Sequence, residues 1–272
     1  MDHLKTLQYE QKKYVKQWKN NSQYYYDNGY YEWMRSHILE CNLILEIGCG
    51  SGLSTLTLLN NGHRVIVIDE NIECLKETRK LLESNNYETQ IIERQGIIQA
   101  DKYGYKFDYL KIKNSFEKKK VLLIQGDVLD DIHLVEWLNN IKIDCVLGWL
   151  IGTHGARNFN KKINERNLVT ATNYRFCVEK NICEICRKIL KSGSYIHFID
   201  RVQPPKDEEE KKLFIEEFKS KINTESFEIE NVDFKNFVPY TKDGMTLIGD
   251  KNMMIASDIC NVDFISILLK KE

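Results

Sequence analysis

Glycines and carboxylates stand at spacings that could bind an extended polar ligand. Gly48, Gly50 and Gly52 alternate with other residues directly after a short apolar run. Glycine permits a sharp turn and lets a ligand touch bare backbone, and a helix N-terminus offers unpaired N–H groups. Asp69 ends a β-branched run 21 residues after Gly48, and Asp127 follows a third apolar run. A carboxylate in the position of Asp69 can accept both hydroxyls of a ribose.

A histidine between glycines could supply a general base. His154 lies in the stretch that begins at Trp149 and ends at Ala156, after a fourth apolar run. Histidine is the side chain whose ordinary pKa suits proton transfer near neutral pH. His154 is therefore the candidate catalytic base, Trp149 is expected to shape the pocket, and Thr153 is expected to contact the substrate. A loop histidine that only packs or hydrogen-bonds is the alternative.

The elements that position these residues follow from hydrophobic periodicity. Short apolar runs predict buried strands, and the longer amphipathic segments between them predict helices. Strands are predicted over 42–47, 64–69, 121–125, 141–149 and 194–200, and helices over about 53–60, 71–84, 131–139, 168–190 and 206–222. Ligands of such alternating α/β sheets bind outside the carboxyl ends of the strands. The glycines, the two aspartates and the histidine are therefore expected to meet at one edge.

Two common nucleotide motifs do not fit. The dinucleotide motif requires Gly or Ala three residues after the second glycine, and here that residue is Leu53. A phosphate-binding P-loop requires Gly-Lys-Ser/Thr, which is absent. Glu46-x-Gly48-x-Gly50-x-Gly52 instead resembles motif I of the class I S-adenosylmethionine-dependent methyltransferases.

The resemblance implies a cofactor site for S-adenosylmethionine. In that family the glycine loop wraps the amino-acid end of the cofactor, an acid after the second strand holds the ribose, and a third-strand Asp binds the adenine amine. The segments that match run in the same order here. The cofactor-binding residues so implied are Glu46, Gly48, Cys49, Gly50, Gly52, Asp69, Glu70, Asn71, Ile72, Asp127, Val128 and Gly148.

The same resemblance implies a fold. It is an α/β three-layer sandwich with a seven-stranded, mostly parallel sheet, an antiparallel C-terminal strand and the strand order 3-2-1-4-5-7-6. Residues 1–41 would form an N-terminal helical cap and 42–272 the cofactor-binding domain. The last two strands are predicted near 253–256 and 262–269.

The N-terminal cap is rich in aromatic residues. Helices are predicted over 4–39, with breaks near Asn20–Ser22 and at Asn28-Gly29. Because family members often cover the pocket with such helices, Tyr25, Tyr26 and Tyr30 are expected to contact the substrate. Packing against the sheet is the alternative for each of them.

Residues 87–120 are interpreted as an insertion. Tyr105, Phe107 and Tyr109 alternate with polar residues, which predicts one strand of a β-hairpin with residues 89–94 as its partner. From 94 to 120 there are eight basic and three acidic residues, a local net charge of +5. Basic residues interleaved with aromatics can bind single-stranded nucleic acid. A solvated flap or a dimer contact is the alternative, and the pattern favours it.

Composition limits the remaining possibilities. The chain has 272 residues and a net charge of −1, so it is not a globally basic nucleic-acid binder. It lacks an apolar run long enough for a membrane span and an apolar signal-peptide core, so a cytoplasmic protein is expected. The eight cysteines are scattered, which favours free thiols, and no metal site is expected.

Together these patterns predict a methyltransferase that uses S-adenosylmethionine and acts on a small molecule. Two alternatives remain: an RNA methyltransferase that grips its substrate through the basic 94–120 flap, and a cofactor-binding module without catalytic activity. The oligomeric state is not predicted.

Overall fold

The computed structural model describes residues 2–113, 115–116, 119–164, 168, 170–222, 224–238 and 262–272. Its strands are β1 Leu43–Ile47, β2 Arg64–Asp69, β3 Ile91–Ile92, β4 Gln95–Asp101, β5 Gly104–Tyr109, β6 Val121–Gln125, β7 Cys145–Trp149, β8 Tyr195–Val202, β9 Phe227–Phe237 and β10 Val262–Lys271. Its α-helices are α1 His3–Asp27, α2 Tyr30–Ser36, α3 Leu53–Asn60, α4 Ile72–Ser84, α5 Ile132–Leu138, α6 Lys161–Asn164, α7 Ala171–Ile189 and α8 Glu208–Ile222, and Gly155–Phe159 forms a 3-10 helix.

The main sheet has the order β3-β6-β2-β1-β7-β8-β10-β9. From β6 to β8 every pair is parallel, and β10 runs antiparallel to both β8 and β9. Apart from the two-residue strand β3 at one edge, this is the predicted seven-stranded order. The predicted α/β fold class and topology are confirmed.

The central strands are buried on both faces, which explains their continuous apolar runs. Alternate side chains enter separate cores, as the two-residue period of a strand requires. In β1, Ile44 faces the core shared with α1 to α4, whereas Leu43 and Leu45 face the core shared with α5, α7 and α8. Helices therefore cover both faces of the sheet, in three layers. The proposed domain boundary at residue 41 stays a prediction.

The predicted helix break at Asn20–Ser22 is wrong. Helix α1 continues through these residues, and Asn21 and Ser22 are buried. Ser22 Oγ lies 3.0 Å from the Tyr31 hydroxyl, so a contact with α2 satisfies the polar side chain. The chain does turn at Asn28 and Gly29, and Gly29 has a φ of +70°.

The predicted hairpin exists, but with a different partner strand. β5 pairs with β4, whereas part of the predicted partner, β3, adds to the main sheet beside β6. Tyr105, Phe107 and Tyr109 point into a satellite core with Leu7 of α1 and Ala156 of the 3-10 helix. The hairpin therefore packs against both α1 and the segment after β7, and holds them in one small core.

The other predicted edge also differs. The strand next to β10 is β9, at 227–237, and the stretch predicted near 253–256 lies outside the described residues. None of the helices in the described ranges contains a stretch long and apolar enough to cross a lipid bilayer. The cysteines in these ranges are free thiols, and Cys260 lies outside them.

A buried carboxyl group in α7 should make stability depend on pH. Burial, and then the charge of Asp200, raises the pKa of Glu179 to about 8. A raised pKa favours folding while the group is protonated, so stability is lost as pH rises from about 4.3 to 8. Between pH 5 and pH 8, the free energy of unfolding of the wild type should fall by about 2–4 kcal/mol more than that of Glu179→Gln.

Urea unfolding of both proteins at the two pH values measures this difference. Glu184→Gln is the matched control, because Glu184 lies exposed on the same helix. An equal loss of stability in the wild type and in Glu179→Gln would contradict the assignment.

Candidate active site

A crevice opens at the carboxyl ends of β1, β2, β6 and β7. It contains about 640 Å³ of space between atoms, part of it open to solvent. Four segments at strand ends and two helices line it: Ile47, Gly48 and Gly50; Ile68 to Asn71; Gly126 to Val128; Trp149 to His154; Tyr14 and Trp18 of α1; and Tyr174 and Val178 of α7. The expected convergence of glycines, aspartates and histidine at one sheet edge is therefore observed.

The glycine loop turns through left-handed backbone conformations. Gly48 has a φ of +81° and Gly50 a φ of +54°, a region that favours glycine. A Cβ atom at Gly50 would overlap the indole of Trp18. Helix α1 can lie this close to the loop only because Gly50 lacks a side chain.

Glu46 supports the loop from behind. It is buried and accepts hydrogen bonds from the hydroxyls of Ser54 and Thr55, in the first turn of α3. Burial raises the pKa of Glu46 to about 7, although the two hydroxyls oppose the rise. Glu46 does not line the crevice, so it ties the strand to the helix rather than facing a ligand.

Asp69 lines the crevice at the carboxyl end of β2. Its Oδ2 accepts from the Cys49 amide at 3.0 Å and its Oδ1 from the Asn71 amide at 2.8 Å. Burial, and then the charge of Glu70, raises the pKa of Asp69 to about 6. Each carboxylate oxygen has two lone-pair sites. The Cys49 thiol also lies 3.5 Å from Oδ2, so Oδ1 has a free site for a ligand and Oδ2 would exchange the weak thiol contact for one.

Asp127 lines the crevice just after the end of β6, as do Val128 and Tyr174 of α7. Its Oδ1 accepts from the Leu129 amide at 2.9 Å. Its Oδ2 lies 2.8 Å from Nη2 of Arg157, on the 3-10 helix. This part of the crevice therefore has a hydrogen-bond acceptor backed by a buried cation.

Glu70 contacts the loop after β7. Its Oε1 lies 3.0 Å from His154 Nε2 and 4.0 Å from Arg157 Nε. Burial alone would raise the pKa of Glu70, but the charges of His154 and Arg157 outweigh it and lower the pKa to about 2. Glu70 thus stays ionised and orients the candidate base.

Trp149 lines the crevice with an indole that is already hydrogen-bonded. Its Nε1–H donates to His197 Nδ1 at 3.1 Å, and His197 Nε2 lies 2.7 Å from Ser266 Oγ. Burial lowers the pKa of His197 far below its usual range, so the ring is neutral and Nε2–H donates to Ser266. Trp149 can offer a ligand its ring face but not its N–H.

The loop after Trp149 carries strain and unsatisfied polar atoms. Leu150 has a φ of +53°, unusual for a residue with a side chain. Thr153 Oγ1 and His154 Nδ1 are buried without a hydrogen-bond partner in the described ranges. Each such atom lowers the free energy of unfolding by about 1–3 kcal/mol unless a ligand or a water molecule forms a hydrogen bond with it. The loop is therefore suited to meet a polar ligand.

Several predicted site residues lie away from the crevice. Ile72, Cys49 and Gly52 are outside its lining, and a Cβ at Gly148 would point at Phe198 instead. Asn71 lines it, but its side chain accepts from the Glu73 amide at the start of α4 and donates to the Gln11 carbonyl of α1. Its side chain therefore joins two helices.

The three predicted substrate tyrosines also lie elsewhere. Tyr25 and Tyr30 pack in an aromatic cluster with Phe237 and Phe264, and Tyr26 is 39% exposed. The aromatic residues of α1 that line the crevice are Tyr14 and Trp18, one helical turn apart. Their i, i+4 spacing marks one helix face, a signal that could have identified them as a pair.

Arg157 and Tyr174 were not predicted as site residues. Arg157 is 2% exposed and Tyr174 lines the crevice. Nothing in the local sequence around Arg157 indicates that it meets Asp127, because 30 residues separate them.

The lining of the crevice is acidic. Asp69, Glu70 and Asp127 contribute three carboxylates, and the described lining includes no lysine or arginine. A pocket with this charge favours a cationic ligand over an anionic one. The bare glycine backbone, the acceptor at Asp69 and the acceptor at Asp127 suit a long ligand with a polar tail, a diol and an amine.

No family model and no curated protein matches the chain. Solved structures of similar fold include the N-methyltransferase NodS from Bradyrhizobium japonicum WM9 in complex with S-adenosyl-L-homocysteine, at 11% identity over 90% of this chain and 87% of NodS, with a TM-score of 0.46. Two others are TrmN from Thermus thermophilus, at 8% identity over 89% of this chain and 48% of TrmN, and the [4+2]-cyclase SpnF, at 9% identity over 89% and 79%, each with a TM-score of 0.48. Sequence identities and TM-scores this low do not indicate an activity for this chain.

Proposed function

We propose that the protein is an S-adenosylmethionine-dependent methyltransferase. The observation that carries this proposal is the convergence of the glycine loop, Asp69 and Asp127 on one crevice at the carboxyl ends of β1, β2 and β6. The amides of the loop would hold the amino-acid end of the cofactor, Asp69 the ribose, and Asp127 with the Val128 amide the adenine.

The charge of the crevice supports this cofactor. S-adenosylmethionine supplies a methyl group on a positively charged sulfur, which a nucleophile displaces in line. The carboxylates of Asp69, Glu70 and Asp127 favour a cation in the crevice. The protein then mainly aligns the reactants and excludes water. The aromatic residues Tyr14, Trp18 and Trp149, which line the crevice, would serve to exclude water.

We further propose a small-molecule acceptor. α1 lies across the crevice, with Tyr14 close to Gly152 and Glu10 close to Gly155. This covered, acidic space suits a small neutral or cationic molecule better than an RNA backbone.

The RNA alternative loses support from the hairpin itself. The aromatic residues that would stack on bases, Tyr105, Phe107 and Tyr109, are buried. Arg94 is also buried and pairs with Asp131. Exposed lysines such as Lys111 and Lys113 remain on this surface, so salt-dependent RNA binding that is lost when they are neutralised would restore the alternative.

Calorimetric titration with S-adenosylmethionine and S-adenosylhomocysteine tests the cofactor assignment. Release of S-adenosylhomocysteine with panels of hydroxyl, thiol and amine metabolites, and with RNA, tests the acceptor class. Failure of both ligands to bind at millimolar concentration would refute the proposal. Tight binding without turnover of any acceptor would favour the non-catalytic module.

His154 is proposed as the general base when the acceptor carries a proton that must leave. Because Nε2 lies 3.0 Å from Glu70 Oε1, the buried Nδ1 would be the nitrogen that takes the proton from the acceptor. We expect His154→Gln to lower the turnover of such an acceptor by about 100-fold. Cofactor affinity should change by less than about threefold, because the other cofactor contacts remain.

Steady-state and binding measurements on one preparation separate the two effects. His133→Gln is the matched control, because His133 lies on α5 outside the crevice lining. Unchanged turnover in His154→Gln would leave His154 with a packing role only.

A further inference from the structure

Arg157 is a buried cation beside the proposed adenine site. Its Nη2 lies 2.8 Å from Asp127 Oδ2 and 3.4 Å from the Tyr174 hydroxyl. The centre of its guanidinium group lies 5.7 Å from the centre of the Tyr174 ring. Arg157 itself does not line the crevice, so it acts on a ligand only through the residues in front of it.

Arg157 also belongs to the loop that carries His154. Its Nε lies 4.0 Å from Glu70 Oε1, and the same carboxylate oxygen lies 3.0 Å from His154 Nε2. Polar side chains in contact therefore run from Asp127 through Arg157 and Glu70 to His154. One buried network joins the proposed adenine site to the proposed base.

The charge of Arg157 decides what Asp127 can offer a ligand. Asp127 is 3% exposed, and a carboxyl group removed from water tends to take up a proton unless a cation lies beside it. An ionised carboxylate only accepts hydrogen bonds, whereas a protonated carboxyl group also donates one. With Arg157 at 2.8 Å, Asp127 faces the crevice as an acceptor only.

We infer that Arg157 is a positioning residue that sets the purine specificity of the crevice. The inference rests on the proposed function, in which Asp127 meets position 6 of the purine. An acceptor-only carboxylate pairs with the amino group of adenine and repels the carbonyl oxygen that hypoxanthine carries at that position. Loss of Arg157 lets Asp127 take up a proton and pair with either base.

Two ligands that differ only at this position test the inference. Calorimetric titrations would use S-adenosyl-L-homocysteine and S-inosyl-L-homocysteine at constant pH and salt. We expect the wild type to prefer the adenosyl ligand by about 30-fold or more, since a buried mispaired polar group costs about that much in affinity. In Arg157→Met the preference should fall below about threefold.

Three further variants complete the design. Arg157→Gln replaces the methionine variant if that protein does not fold, and Arg157→Lys, which keeps the charge, should keep a preference of about tenfold. Arg175→Met is the matched control, because Arg175 also lies 2.8 Å from an aspartate, Asp200, but outside the crevice lining. The Arg175→Met variant should prefer the adenosyl ligand over the inosyl ligand as strongly as the wild type does.

The outcomes separate the inference from the proposed function. The inference would be overturned if Arg157→Met or Arg157→Gln bound S-adenosyl-L-homocysteine normally and still preferred it over the inosyl ligand as strongly as the wild type does. That result would leave the proposed function intact. Failure of the wild type to bind either ligand would overturn the proposed function, and the inference with it.

Discussion

Replacing Asp69 by alanine is expected to weaken S-adenosylmethionine binding by about 1000-fold or more. A hydrogen bond to a charged partner is worth about 1.5–3 kcal/mol, and the proposed ribose site offers two of them at one carboxylate. Asp69 is half-buried, so a bound ligand would shield these bonds from water. Calorimetric titration measures the loss directly.

A second signature of Asp69 is its pH dependence. The pKa of Asp69 in the free protein is raised to about 6, and the ionised form is the better acceptor. Wild-type affinity should therefore fall as pH drops below about 6, approaching tenfold per pH unit. This dependence should be absent from Asp69→Ala.

The Asp69 variants need controls because the carboxylate also binds the backbone. Asp69→Asn keeps the side-chain size, but its one acceptor oxygen can serve only one of the two amides, Cys49 or Asn71, that Asp69 binds through separate oxygens. Asp101→Ala removes an exposed carboxylate of the hairpin and should leave binding unchanged. An affinity of Asp69→Ala within about threefold of the wild type would refute the ribose site.

Replacing Gly50 by leucine should also reduce cofactor affinity by about 1000-fold or more. The new side chain would begin where the Trp18 indole lies and would fill the space in which a ligand meets the loop amides. The φ of +54° adds about 1–2 kcal/mol of backbone strain for any residue with a Cβ. Calorimetry gives the affinity, and urea unfolding gives the stability.

Gly62→Leu isolates the backbone contribution. Gly62 has a φ of +89°, and a Cβ there would meet nothing within 4 Å. It should lose about the same 1–2 kcal/mol of stability while binding the cofactor normally. Combining Gly50→Leu with Trp18→Ala relieves the overlap with the indole, and binding should still be lost. Recovered binding in the double variant would assign the effect to α1 rather than to the loop.

Local features of the chain predicted the central strands and several of the residues that line the crevice. The apolar runs of β1, β2, β6 and β7 are buried on both faces, so their periodicity is clear without any knowledge of their neighbours. Asp69 is the last residue of β2, and Gly50 follows the end of β1 by three residues. The local sequence is enough to predict where a strand ends and a turn begins. Chain order and parallel pairing then bring these ends together.

Features that depend on distant contacts could not be predicted. The aromatic residues of α1 run from Tyr9 to Tyr26, about five turns of helix. Only the packing decides that Tyr14 and Trp18, rather than Tyr25 of α1 or Tyr30 of α2, line the crevice. The edge strand β9 has polar residues on both faces, so its alternation is weak. Ser22 forms no break because a tyrosine from α2 satisfies it.

By itself the sequence determined the positions of the central strands, the glycine turn and the aspartate after β2, because each depends on residues close together in the chain. The strand order came from the family resemblance. Only the tertiary structure decided the partners of Glu70 and Asp127. Glu70 contacts His154, and Asp127 contacts Arg157. Both partners lie in the segment after β7, far from the carboxylates in sequence. Such charges pair because burial leaves no water to solvate them, and burial is a property of the assembled fold rather than of any local segment.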